Sequence, residues 1–442
     1  MPKRVAYCVV RVVLLCIGLV ACSNTGILET KPTTSPANVQ ASVPAQNNPD
    51  SMNVNCIGAT EPPVIASGWK LLWQKVFEGE IARPPIVDGS QLIVLERIDP
   101  LLPESRFRDT LWVLDSQTAE AQWRFGDAQL HRHITHLKLS PKYMALVVRD
   151  YMSSSDWLSN SAMNEYPLVL ERLSGRTVMS DTTIGIGALS DDAIYHLSFG
   201  CALNRVDLPT GTKRWHNPDT AVSWGALLVN GGELYSIGFN RNVYHYDPVA
   251  GRLIQTGTLG AGPGSNDFIV QDGILILRSW YEEQGYVGVT AFDLRTMSKQ
   301  WAVPVNYPPG QKSNAFGQGD MPTMTSTSDA IYLFDDQNNL FRIDLATGRT
   351  LWRVHSSDTE AMSRPVVIDG LVYGLFADGT VKAFSVSDGS TIGTAIKAPL
   401  WYWRSTDDAQ EWRDLVGGLG VSGDTLIVTT GCRSVYAIQR AP

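Results

Sequence analysis

The 442-residue chain lacks the short signatures that announce catalysis. It has no G-x-S-x-G elbow, no H-E-x-x-H helix and no P-loop, so serine hydrolysis, zinc peptidase and nucleotide chemistry find no foothold. Basic residues are in deficit, 36 against 44 acidic, for a formal charge of −8. No basic cluster offsets this, which argues against a nucleic-acid partner. Histidine is scarce, with seven residues. His131, His133 and His136 form the one group, and its first two members share a side of a strand as metal ligands would. No third ligand is identifiable, so the favoured reading is an exposed turn with scattered histidines and no metal. The glycine-rich stretch GTLGAGPGSN (257–266) has no helix behind it to cradle phosphate and reads as a loop.

Cysteine is also sparse, with six residues, and the N terminus accounts for three. Lys3, Arg4 and Arg11 precede VVLLCIGLVA (12–21), an apolar run too short to span a bilayer as a mature helix. It ends in Leu19-Val20-Ala21-Cys22, which resembles a bacterial lipobox. Residues 1–21 therefore read as a lipoprotein signal peptide, with Cys22 as the lipidated residue that becomes the new N terminus. The alternative is an ordinary signal peptide cleaved near Ala21. The expected location is extracytoplasmic, lipid-anchored to the outer membrane or the cell surface according to the host envelope. Residues 22–66 are rich in Ser, Thr, Pro, Asn and Ala without apolar period, a flexible tether. Loss of the three basic residues of the signal leaves 33 against 44 acidic, about −11. Cys56, Cys201 and Cys432 remain, enough for one bridge at most. Cys56 on the tether is the most mobile, so Cys56–Cys432 is the favoured pairing, with no bridge as the open alternative.

What the chain has in quantity is a repeat. An acidic residue is followed eight positions later by tryptophan at Asp115/Trp123, Asp207/Trp215, Asp293/Trp301 and Asp344/Trp352, as in LFRIDLATGRTLW (340–352). Degenerate copies keep Asp247 and Gly251 with Gln255, Glu171 and Gly175 with Met179, and Ser385 and Gly389 with Gly393. An eighth, SVYAIQRAP, stops at Pro442. Upstream of each lies a hairpin with Asp-Gly or Asn-Gly between apolar runs, such as PVVIDGLVYGL (365–375), because both central residues of a type I′ turn need positive φ. Each unit is thus four antiparallel strands. Units every 40 to 50 residues read as blades of a propeller, and first strands near 83, 133, 184, 224, 265, 321, 363 and 415 make eight. The segment KLLWQKVF (70–77) matches RTLWRVHS (349–356), so Trp73 belongs to the missing fourth strand of the last blade. Pairing of that N-terminal strand with the last blade closes residues 67–442 into one all-β, eight-bladed ring.

The D-x-x-T-G-x-x-x-W copies at Asp207–Trp215 and Asp344–Trp352 resemble the propellers built from repeats like those of pyrroloquinoline-quinone (PQQ) enzymes. Size, lipobox and unit count are most similar to the BamB-type outer-membrane assembly lipoproteins. The resemblance implies that Trp73, Trp123, Trp215, Trp301 and Trp352 are structural, docking between neighbouring blades. PQQ dehydrogenases of this fold carry an adjacent cysteine pair, and some add a C-x-x-C-H haem site; neither occurs here. No catalytic residue, no cofactor and no metal are therefore expected.

Insertions at 98–108, 151–165, 281–287, 306–320 and 398–414 all enlarge one face of such a ring. They carry Trp157, Tyr281, Tyr286, Trp401, Tyr402, Trp403 and Trp412, residue types that dominate binding hot spots. The expected function is a non-catalytic, lipid-anchored, monomeric scaffold binding an envelope protein or peptide through that face. The alternative is a small-ligand receptor or PQQ-dependent dehydrogenase-like enzyme using the central channel.

Overall fold

The computed structural model describes residues 63–98, 108–126, 132–151, 163–180, 187–198, 202–218, 225–238, 240–260, 262–281, 286–305, 324–335, 337–359, 361–398, 417–430 and 433–441. The signal segment, Cys22, the tether up to residue 62, Cys56, Cys201 and Cys432 lie outside them.

No helix occurs among the described residues, which form 34 strands. The chain enters through β1 (Val64–Ile65), β2 (Trp69–Val76) and β3 (Glu80–Ile81). A first meander follows, β4 (Ile86–Asp88), β5 (Gln91–Ile98), β6 (Arg108–Asp115) and β7 (Ala121–Phe125). The second is β8 (Arg132–Leu139), β9 (Tyr143–Tyr151), β10 (Met163–Glu171) and β11 (Thr177–Ser180). The third is β12 (Ala188–Leu189), β13 (Ala193–Leu197), β14 (Leu203–Asp207) and β15 (Thr212–Asn217), and the fourth β16 (Gly225–Asn230), β17 (Glu233–Gly238), β18 (Asn242–Tyr246) and β19 (Leu253–Thr258). Then come β20 (Gly262–Gln271), β21 (Ile274–Tyr281), β22 (Tyr286–Asp293) and β23 (Ser298–Pro304), followed by β24 (Met324–Ser326), β25 (Ala330–Phe334), β26 (Asn339–Asp344) and β27 (Thr350–His355). The seventh is β28 (Val366–Ile368), β29 (Leu371–Leu375), β30 (Thr380–Ser385) and β31 (Thr391–Lys397). The last has three strands of its own, β32 (Gly417–Ser422), β33 (Thr425–Thr430) and β34 (Ser434–Arg440), and β2 lies on β34 as its fourth.

All pairings within the meanders are antiparallel. The only parallel contact among the described strands is one rung, Arg108 opposite Arg132, which joins the first two meanders into a nine-stranded sheet. In the first meander the innermost strand is split. Pro84 and Pro85 have no N–H to offer, so β3 and β4 pair separately with the two ends of β5. The β2–β34 ladder runs from Trp69 opposite Arg440 to Val76 opposite Ser434, with a bulge at Leu72. Hairpins form where the dipeptides demand them: Asp369 and Gly370 take φ of 48° and 74°, as a type I′ turn requires.

The core is distributed between sheets. Among the described residues, each apolar cluster is drawn from two meanders, consecutive in every case but one. Ile93 and Leu111 pack with Leu146 and Leu170, and Ile237 with Leu275 and Leu277. Leu92 and Val94 of the first meander pack with Ile427 and Val435 of the last. Each such aliphatic side chain, once buried, contributes about 1.5–3 kcal/mol. At this last contact the strands come very close: a Cβ on Gly418 would lie 2.4 Å from Cβ of Pro84, and one on Gly420 2.6 Å from Cγ2 of Val87.

Candidate functional site

Three devices repeat along the chain and set the frame on which any site is built. The first is the acidic turn. Oδ1 of Asp115 accepts the N–H groups of Gln117 and Thr118, and Asp247 and Asp293 repeat this two and three residues on. These bonds favour the ionised form and hold the Asp115 and Asp247 carboxyls below the usual range, with backbone donors the largest cause. Asp207 differs, taking Arg205 at 2.8 Å together with Arg214.

The second device is the tryptophan. The indole N–H of Trp123, Trp215, Trp301 and Trp352 donates to a backbone carbonyl of the following meander, those of Arg172, Pro248, Leu345 and Val386, at 2.7 to 3.2 Å. The ring lies where a Cβ would stand on the turn glycine beside that carbonyl; a Cβ on Gly348 would be 2.6 Å from Cδ2 of Trp301. Trp73 makes no such bond: its indole nitrogen is buried without a partner. In the turn of the first meander the glycine position is Ala119, at φ 60°, and its carbonyl takes the Lys75 ammonium at 3.0 Å. Trp69, four residues before Trp73 where other copies have glycine, packs edge-on against Tyr373 at 5.5 Å. The seventh meander has Gly393 in place of tryptophan. The glycine and tryptophan positions are thus exchanged there, a signal legible in the sequence but passed over.

The third device is an arginine two residues before the acidic turn, also missed. Arg205 bonds Asp192 and the Pro248 carbonyl; Arg342 bonds Asp329 and the Val386 carbonyl, each sharing the acceptor of the neighbouring indole. Arg172 does related work between the first two meanders, reaching Asp88, Gln91 and Ser140.

The ends of second and fourth strands and the starts of first and third strands share one end of each meander, and there the insertions emerge. Trp157, Trp401, Tyr402, Trp403 and Trp412 lie outside the described residues. Tyr281 and Tyr286 do not sit in a loop, as the sequence suggested: their backbones form the last rung of the β21–β22 ladder, because the alternating pattern continues to the tip. Tyr151 and Met163–Glu165 likewise extend β9 and β10.

Below the insertions of the first two meanders lies a dense polar layer. Arg97 grips Asp109 with two bonds, at 2.7 and 2.9 Å, and Oδ2 of Asp109 also accepts the N–H of Ile134. Glu96 accepts the Gly79 N–H and the Trp112 indole N–H, both at 2.7 Å. His133 sits in β8, buried, not on an exposed turn. Burial first, then repulsion from Arg97, Arg149, Arg83 and His136, pushes it down to about 3, so its ring is neutral at physiological pH. Glu80 moves the opposite way, to about 7, because burial outweighs the attraction of Arg433 and Arg97. No group of three metal-ligating side chains occurs among the described residues; His131 lies outside them.

Comparison with known proteins fits this geometry. The family model described as outer membrane protein assembly factor BamB matches residues 202–374 and 316–408. No curated protein matched the sequence. Many solved structures share the architecture, three of them as follows. BamB from Moraxella catarrhalis is 14% identical, with 84% of this chain and 97% of that one covered and a TM-score of 0.54. The computationally designed Ika8 protein is 11% identical, covering 82% and 98% with a TM-score of 0.52. A europium-containing methanol dehydrogenase is 12% identical, covering 84% and 93% with a TM-score of 0.53. At these identities the likenesses speak for the fold. The fold is that of a β-propeller, and over residues 202–408 the chain resembles the PQQ-like repeat proteins of the BamB type.

Proposed function

We propose that this protein is a non-catalytic scaffold of the cell envelope, held at a membrane by a lipid on Cys22, that binds a protein or peptide partner during outer-membrane protein assembly. The observation that carries this reading is the likeness to BamB, by family model over 202–408 and by structure over 84% of the chain. The same reading takes residues 67–442 as an eight-bladed ring. Its supports are the β2–β34 ladder and apolar clusters that join each meander to the next, the last to the first included. Trp73, Trp123, Trp215, Trp301 and Trp352 are its structural residues. The partner surface is the face enlarged by 98–108, 151–165, 281–287, 306–320 and 398–414, with Trp401, Trp403 and Trp412 central and Trp157, Tyr281, Tyr286 and Tyr402 around them. The missing adjacent cysteine pair favours this role over quinoprotein chemistry. Replacement of Trp401, Trp403 and Trp412 by alanine is expected to abolish partner capture from solubilised envelopes while the melting temperature holds. Unchanged capture would remove this face from the reading. Purification with and without PQQ and calcium, followed by absorbance and intact mass, tests the non-catalytic part: a retained cofactor would contradict it.

A further inference from the structure

The outer wall of the propeller consists of fourth strands, each of which, β31 apart, ends its sheet and presents a row of main-chain donors and acceptors. Natural sheets guard such edges with charge. Here β7 carries Arg124, β15 Lys213 and Arg214, β23 Lys299, β27 Arg353, and β2 Lys70 and Lys75. β11 is uncharged but short, and its Met179 is buried. β19, LIQTGT, has no charged residue. Its Leu253 and Ile254 are 44% and 53% exposed, and Val249 of the adjoining turn is 72% exposed. Gln255 replaces the tryptophan that pins other fourth strands to the next meander, and it too is exposed.

The molecule itself shows what such an edge accepts. β31 exposes Ile392 and carries charge only at its last residue, and β1 is added to it antiparallel, Val64 opposite Lys397 and Ile65 opposite Ile396. The added strand lies on the half of β31 beyond its bulges. In β19 the corresponding half is Gln255–Thr258, past the irregularity at Ile254.

We propose that β19 is an acceptor edge for an extended strand of a partner protein, laid along Gln255–Thr258 by main-chain hydrogen bonds. Its alternate side chains would be aliphatic and β-branched, like the Val64–Ile65 pair, and would cover Leu253 and Ile254. This edge lies on the outer wall rather than on the loop-bearing face, so it stands or falls separately from the tryptophan surface proposed above. The test uses the full chain and a short neutral peptide of alternating valine and threonine, followed by hydrogen–deuterium exchange. Peptide binding is expected to slow amide exchange across 253–258. Leu253→Lys with Ile254→Lys is expected to weaken the peptide by about tenfold or more, with the melting temperature kept because both side chains face solvent. Leu173→Lys, at a still more exposed site on another meander, is expected to leave binding unchanged. The proposal is overturned if protection falls elsewhere or nowhere. It is also overturned if a peptide N-methylated at alternate amides protects equally well, or if the lysine pair instead dissolves a dimer of the free chain.

Discussion

Gly348→Ala probes the junction between consecutive sheets most sharply. The new Cβ would stand 2.6 Å from Cδ2 and 2.7 Å from Cε3 of Trp301, where about 3.5–4 Å is the comfortable separation. The indole must retreat by roughly 1 Å, which stretches its 3.0 Å bond to the Leu345 carbonyl beyond useful range. Loss of that bond costs about 1 kcal/mol, and the overpacking about 1–3 kcal/mol. Left-handed backbone adds about 1–2 kcal/mol for alanine, because φ is 72°. Gly370→Ala is the matched control: its φ is 74° and nothing lies within 4 Å of the new Cβ. Backbone strain cancels between the two variants, leaving about 2–4 kcal/mol for the ring contact. Urea denaturation followed by circular dichroism measures both. Trp301→Phe in the Gly348→Ala background should recover part of the loss, a coupling that a double-mutant cycle quantifies. Equal midpoints for Gly348→Ala and Gly370→Ala would refute the reasoning.

Other consequences follow from the buried titrating groups and the acidic turns. His133 has a folded pKa far below its unfolded value, so its contribution is complete above about pH 6.5 and is lost as pH falls toward 3. At pH 5 that loss is about 2 kcal/mol, and His133→Asn should flatten the slope of melting temperature between pH 5 and 7.5. Glu80 has the reverse sign, a carboxyl raised to about 7, so the fold loses stability as pH rises from about 4.5 through 7. Glu80→Gln should therefore gain on the order of 1–2 kcal/mol at pH 8, allowing for the water that still reaches the group, and nothing at pH 4. Asp344 is held below the usual range by the hydroxyl and N–H of Thr347. Its stabilisation is present above about pH 4 and is lost as pH falls through the folded value, so Asp344→Ala should lower the melting temperature at pH 7 and cost progressively less as the solution is acidified below about pH 4.

Much of the architecture was legible because it is local. Asp-Gly dipeptides, the acidic residue eight positions before tryptophan, and alternation of apolar residues each constrain a few consecutive residues, and together they placed the strand starts within a few positions. What escaped depends on pairs distant in sequence. Arg172 meets Asp88 and Gln91 only after two meanders pack together, and Glu96 meets Trp112 and Gly79 only once neighbouring strands of the first meander are in register; no spacing rule announces either. His133 was misjudged because its neighbours look polar one by one, whereas the fold buries it in β8. Trp69 could have been found, since it stands where the repeat calls for glycine just where the preceding unit has Gly393 instead of tryptophan.

The account rests on a ring completed by an N-terminal strand. Lys70 and Gln439 lie opposite each other in the β2–β34 ladder. With native cysteines replaced by serine, Lys70→Cys and Gln439→Cys treated with a short bifunctional maleimide should give one intramolecular cross-link, seen by mass after proteolysis, and a higher melting temperature. Absence of that cross-link in folded, monomeric protein would contradict the closed ring and the scaffold built on it.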